Sequence, residues 1–394
     1  MKLSDWHHQR PPSIAFGLRG SGASSATAPA APQTVFTSLN QLAGSAIPSV
    51  GVDSVRTEGF NAAGDGGGAL YRRAATEPPH AGKIRSADGA WWEYIPDKIG
   101  WNIRTFGALG DGVTDDNPSI SAALSTAAFF AGSHCQQTVY VPQSDSAYIF
   151  TTISVGSYVE LLGLGGVLRL RDNVCVDEDT FYYPINNLGQ SNTTFRNLRI
   201  DGNGGANTLF RVADAITCVG RNSSVLDCVI DDAPDSGITF SQTPGGICRG
   251  NIIDGASDAG IYVNDSNESD PSTDGTIISE CTVRNAAVAG YSIKRSSAAM
   301  TLTNCTAARC GNGVTVEDFG VGNGGAPAEL VIANIVLRDI GYTHRATNIA
   351  ERGLSLTFCD HVTVTGVTAV NVSGIGLYLS GAKNCAVSGC SLAG

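Results

Sequence analysis

Four segments of this chain are variants of one another, and that constrains its fold more than any other feature. VLDCVIDDAPDSGITF from Val225, RGNIIDGASDAGIYV from Arg249, ISECTVRNAAVAGYSI from Ile278 and LTNCTAARCGNGVTV from Leu302 share one pattern. Each has a short apolar strand, a polar turn, then glycine followed by an alternating strand. Gly237 and Gly260 are 23 residues apart, as are Gly290 and Gly313. The 30 residues between Gly260 and Gly290 contain an insertion of turn formers, DSNESDPSTDG. Further units follow at Gly353 and Gly376, the first after FGVGNGGAP and YTHRATNIAER. A unit this short cannot bury its own inward side chains, so the core exists only if units stack. The period predicts an all-β fold, a right-handed parallel β-helix whose coils repeat at about 4.8 Å.

Alignment also explains the eleven cysteines. Cys228, Cys281, Cys305 and Cys390 fall in one column, with Asn251 between the first two. They read as small inward groups, reduced and buried, rather than as nucleophiles or disulfide partners. No CxxC is present, and none of the six histidines has metal-like spacing. Gly-rich DGGGA and VGNGGAP lack the lysine and context of a phosphate loop, and NDSNESD lacks EF-hand spacing. No metal or cofactor is expected.

Upstream of the repeats, residues 1–33 end in ASSATAPAAP and read as a flexible arm or linker. Residues 34–98 carry DGGGALYRR and DGAWWEY, Gly-rich turns beside aromatic strands, and predict a small β-rich module, with Trp91 and Trp92 packing it. Residues 99–394 form the β-helix. It opens with WNIRTFGALGDGVTDDNPSISAALSTAAFFAG, which predicts a strand, a turn and a capping helix. Asp115 or Asp116 lies near the N-cap, Pro118 in the first turn and Gly132 past the end. Ile120, Leu124, Ala127 and Ala128 form the apolar face that closes the first coil.

Charge narrows the partners. With 25 basic and 36 acidic residues the net charge is −11, which excludes the basic face that nucleic acid requires. A neutral sugar polymer fits better. No apolar run is long enough for a membrane span, so membrane insertion is not expected, and no secretory signal is visible at the start.

FGALGDGVTDDNPSISAAL followed by TVYVPQSDSAYIF resembles the N-terminal cap and first coil of the pectate lyase-like β-helix superfamily. The resemblance covers residues 101–394. That group includes polygalacturonase-like hydrolases, polysaccharide lyases and bacteriophage tailspikes. DGGGALYRR with DGAWWEY resembles modules that precede such helices in tailspike-like proteins. The resemblance implies a polysaccharide partner, parallel homotrimers and a place outside the cell or on a virion. An ending at CAVSGCSLAG, where another coil begins, adds to the expectation of a covered end. The polygalacturonase motif set is incomplete: G-H-G is absent, and Ser292 stands where the arginine of R-I-K is expected. Its mechanism is therefore not carried over.

Strand alternation yields candidate residues directly. Taking Ile238, Ile261, Tyr291, Val314, Leu354 and Leu377 as inward, Tyr262, Asn264, Lys294 and Glu317 face outward on three adjacent coils. Asp235 and Asp258 lie at the strand entrance one coil apart. Arg295 lies at the exit with Asp265 and Asp318, and His344 with Arg345 sits in a long insertion. Glycoside hydrolysis needs two carboxyl groups, about 5–5.5 Å apart for retention or 6.5–9.5 Å for inversion. Asp235 with Asp258 approximates the first spacing, and Asp258 with Glu317 the second. Lys294 and Tyr262 open a lyase alternative, in which Lys294 removes a proton next to a uronate. For binding, Tyr262, Asn264, Arg295, His344 and Arg345 are the candidates. The expected function is depolymerisation of a surface or extracellular glycan, as a hydrolase before a lyase. A non-catalytic adhesin that grips a glycan is the rival reading.

Overall fold

A computed structural model describes residues 34–132, 135–264, 274–294, 299–317, 329–341 and 351–393. The arm 1–33 and the candidates Arg295, His344 and Arg345, with Asp265 and Asp318, lie outside the described residues.

Three parallel sheets wind around one core, as the 23-residue period requires. Among the described residues they hold eleven, ten and nine strands, and every strand but the two at the ends of each sheet pairs with a neighbour on either side. Ile238 stands opposite Ile261, Ile261 opposite Tyr291, Tyr291 opposite Val314 and Val314 opposite Leu354. All five are buried, as the alternation predicts.

From the second coil onward, the chain bends between the strands of the eleven- and ten-stranded sheets through a single left-handed residue. Asn197, Asp227, Asn304 and Asn334 take φ of 52–55°, and Gly250 and Gly366 take 69° and 65°. Asparagine, aspartate and glycine tolerate this region better than branched residues do. The bend turns the next side chain inward, and that position is the cysteine column. Cys228, Cys281 and Cys305 are buried there. Asn251 is accommodated because its Oδ1 accepts the Cys228 amide hydrogen at 2.9 Å and its Nδ2 donates to the Val225 carbonyl at 2.8 Å. All eleven cysteines are free; eight are buried, Cys385 and Cys390 are half-buried and Cys135 is exposed. Burial pushes the Cys228 thiol up to about 12 and that of Cys310 to about 11.

The repeated glycine has a steric cause. A Cβ on Gly237 would lie 2.7 Å from the Gly260 carbonyl oxygen, and one on Gly260 would lie 2.9 Å from that of Gly290. Coils approach too closely there for a side chain.

The cap helix runs Asn117–Ala131, with Pro118 in its first turn and Gly132 at its C-cap. Ile120, Leu124 and Ala127 are buried, and Ala128 is half-buried. Asp116 is the N-cap residue, yet its carboxylate makes no helix-capping bond. It accepts the amide hydrogens of Leu109 at 2.6 Å, Gly110 at 3.3 Å and Ile149 at 3.2 Å, tying the preceding turn to the first coil.

Ahead of the cap, five strands between Thr34 and Ile95 form a separate sheet. Trp92 is buried in it and donates to Ser86 Oγ at 3.0 Å. Trp91 does not share that burial: successive strand residues face opposite ways, and its ring lies near Lys83 and Arg85. Trp101 stacks on Phe130 of the cap helix at 5.1 Å, so the hydrophobic core continues from Phe36 to Val372. Among the described residues, no helix is long and apolar enough to cross a membrane.

Candidate functional site

The nine-stranded sheet carries the candidate residues, and its register orders them. Thr239, Tyr262, Ser292, Thr315, Ser355 and Tyr378 form one outward row. Ser241, Asn264, Lys294, Glu317 and Thr357 form the next. The outward face is far from fully solvated. Thr239, Ser292, Thr315 and Ser355 are buried, while Tyr262, Asn264, Lys294 and Glu317 are half-buried.

A cleft of about 520 Å³ opens over three coils of this face. Asp235, Asp258, Tyr262 and Asn264 line it. The two aspartates occupy equivalent places, each three residues before the paired Ile238 and Ile261. The Asp258 amide donates to the Asp235 carbonyl at 3.2 Å. The Ala213 amide donates to Asp235 Oδ2 at 3.4 Å.

A third carboxylate joins them. Asp214 lies one coil earlier, level with Ser236, because Ile216 pairs with Ile238. It lines the same cleft and is 4% exposed. Its Oδ1 accepts the Ser236 amide hydrogen at 3.2 Å. Burial pushes its carboxyl up to about 6 with help from the Asp258 charge, against the opposing pull of Thr239 and Ser236. The carboxyl raised most clearly in the cleft thus belongs to a residue the repeat alignment does not reach. The coil carrying Asp214 has Ala215 where later coils have glycine, so the glycine marker ran out one coil too early.

One wall comes from outside the regular coils. Residues 171–184 and 202–214 are excursions from two successive coils, held together by isolated bridges Val176–Leu209 and Phe181–Val212. Asn207, fully buried, accepts the amide hydrogens of Val174 and Cys175 at 2.8 and 3.0 Å. This wall brings Phe181, Tyr183 and Arg211 to the cleft. The two rings stack at 6.5 Å and 18°, and the Arg211 guanidinium sits 4.9 Å from the Phe181 ring centre. Neither excursion repeats, so periodicity carries no signal for them.

Lys294 and Glu317 are not brought to the aspartates. Asp258 precedes Ala259, which pairs through Ala289 with Asn312, five residues before Glu317. Glu317 is therefore six residues beyond the level of Asp258, about 20 Å along the strand direction at about 3.3 Å per residue, besides two coils across. This corrects the Asp258–Glu317 spacing expected for inversion, which counted coils and ignored position along the strand. Lys294 Nζ lies 3.5 Å from Glu317 Oε1 and 5.3 Å from the Tyr262 ring centre. The ammonium thus sits beside the ring of Tyr262, one of the candidates for sugar binding.

Residues 100–315 match the family model described as rhamnogalacturonase A/epimerase, pectate lyase-like. The chain belongs to this family. No curated protein matches it by sequence. Among solved structures, it is similar to WceF of Pantoea stewartii, described as a glycan biofilm modifying enzyme with a tailspike-like parallel β-helix fold. The identity is 12%, the TM-score 0.57, and the match covers 91% of this chain and 49% of WceF. The tailspike gp49 of Acinetobacter baumannii bacteriophage Fri1, a capsular polysaccharide depolymerase, matches with 12% identity and TM-score 0.51, covering 90% and 69%. A family 28 exopolygalacturonase of Yersinia enterocolitica matches with 12% identity and TM-score 0.50, covering 79% and 82%. At these identities the three neighbours establish the fold alone. The chain spans about half the length of WceF.

Proposed function

We propose that this protein hydrolyses a glycan in the cleft, with Asp214 as the acid. The observation that carries the reading is the meeting of Asp214, Asp235 and Asp258 in one cleft, the first with its carboxyl raised to about 6. A carboxyl that keeps its proton near neutrality can protonate the departing glycosidic oxygen. Asp235 and Asp258 supply the second carboxylate, which attacks the anomeric carbon or activates the water that does. Water is added across the bond, leaving a new reducing end. Phe181 and Tyr183 offer apolar surface to a sugar face, and Arg211 and Asn264 can bond its oxygens.

Lysis through Lys294 has less support, because that ammonium lies beside Glu317, level with Asn264 and six residues along the strand direction from Asp258. The tailspike-like neighbours and the glycan-directed reading favour action outside a cell or on a virion surface, by a parallel homotrimer in which residues 34–98 form a module ahead of the helix. Incubation with capsular and exopolysaccharides, followed by reducing-end and 235 nm absorbance assays, tests the reaction. New reducing ends without unsaturated uronate support hydrolysis, and unsaturated products refute it. Binding without any new end favours the adhesin reading. Light scattering that returns a monomer mass at micromolar concentration refutes the trimer.

A further inference from the structure

The outward row that crosses the cleft continues beyond it. Ser154, Asn186, Thr217, Thr239 and Tyr262 are in-register partners on five successive coils of the nine-stranded sheet. The last three line the cleft. Ser154 and Asn186 instead line a second depression of about 480 Å³, between the sheet and the cap helix. Ser121, Ser125 and Gln190 line it too, and among the described residues no ionisable side chain does. Leu188, 43% exposed, lines both depressions, so they meet at one side chain. Between them sits Thr217, 3% exposed, whose hydroxyl has no hydrogen-bond partner among the described residues. A buried hydroxyl left unpaired is costly, and a ligand hydroxyl would satisfy it.

We propose that the groove beside the cap helix binds uncharged sugar residues of the same glycan that is cut at the aspartates. The inference rests on the glycan-hydrolase reading and extends it to a substrate class: a chain with neutral residues on one side of the cut. Hydroxyl and amide groups suit sugar hydroxyls, and the exposed apolar surface of Leu188 suits a pyranose face. With no cation among the described residues that line it, the groove suits an uncharged occupant better than a phosphate or uronate. Five rungs at about 4.8 Å span about 19 Å along the coil axis, so the site rewards long chains.

The probes are neutral gluco-, galacto-, manno- and rhamno-oligosaccharides of two to eight residues, with affinity and reducing ends measured on the whole chain. Ser125 is exposed on the cap helix, so Ser125→Trp fills the groove without entering the core. Affinity for a bound series should climb through at least five residues. Ser125→Trp should weaken binding of the longer members about tenfold, equivalent to about 1.4 kcal/mol, and leave two- and three-residue members unchanged. Thr217→Val should weaken the members that cross Leu188. Affinity that levels off at three residues, or longer chains indifferent to Ser125→Trp, overturns the groove while cleavage at the aspartates can still stand. The expected length dependence without new reducing ends refutes cleavage and retains the groove. Failure of every neutral oligosaccharide to bind overturns the groove outright.

Discussion

Replacing Asp214 with Asn should make the folded chain inactive and, at neutral pH, more stable. Asp214 is 4% exposed, and its carboxyl is raised from 3.8 to about 6, chiefly by burial. At 1.36 kcal/mol per pH step, that rise is equivalent to about 3 kcal/mol of folding free energy. The sign follows from proton counting. Between about pH 4 and pH 6 the folded state holds a proton that the unfolded state has released, so stability falls as pH rises through that window. Below it the acid is neutral in both states and the penalty vanishes; above it the penalty is complete. Asparagine is neutral throughout and keeps an oxygen for the Ser236 amide hydrogen. The gain from Asp214→Asn should therefore be near zero at pH 4 and grow to at most about 3 kcal/mol at pH 7.5. Urea unfolding of both proteins at pH 4, 5, 6 and 7.5 measures it, with equal slopes required for a fair comparison. A gain identical at all four pH values, or a loss at pH 7.5, would refute the argument from burial. Turnover should fall by a factor on the order of 10² or more.

The pH–rate profile of kcat/KM should decline above about pH 6 as Asp214 loses its proton, and a rate still rising to pH 8 would remove it as the acid. Lys294→Ala should leave turnover within about twofold, because Lys294 is displaced from the aspartates; loss by a factor on the order of 10² would favour lysis instead. Gly237→Ala should destabilise by about 1–3 kcal/mol in chemical melts, since its Cβ meets the Gly260 carbonyl and Ile253 at 2.7 Å; an unchanged midpoint would contradict the packed glycine column. Cys135 should label fastest under native conditions and the eight buried thiols only on unfolding, whereas rapid labelling of Cys228, Cys281 or Cys305 would place that column outside the core.

Much of the fold was legible because a solenoid makes long-range structure a consequence of local repetition. Once the period near 23 was recognised, the partners of Ile238, Tyr291 and Val314 followed from alignment alone, as did the inward cysteine column. Asp235, Asp258, Tyr262 and Asn264 were legible for the same reason, since each sits at a repeated position in the register. Position along the strand is encoded in the same alignment, and coil number alone puts Glu317 too near Asp258.

Other features required the tertiary structure. Phe181, Tyr183 and Arg211 come from excursions that occur once, so no period predicts where they fold; bridges and the buried Asn207 decide it. The Asp214 carboxyl sits near 6 because water is excluded around it and Asp258 stands close by, and neither condition can be read from VADAI. The sequence by itself determined which side chains share a rung. Which rungs are walled into a cleft, and which acid there has its carboxyl raised, was decided by packing, because desolvation depends on everything that surrounds a group and not on its neighbours along the chain.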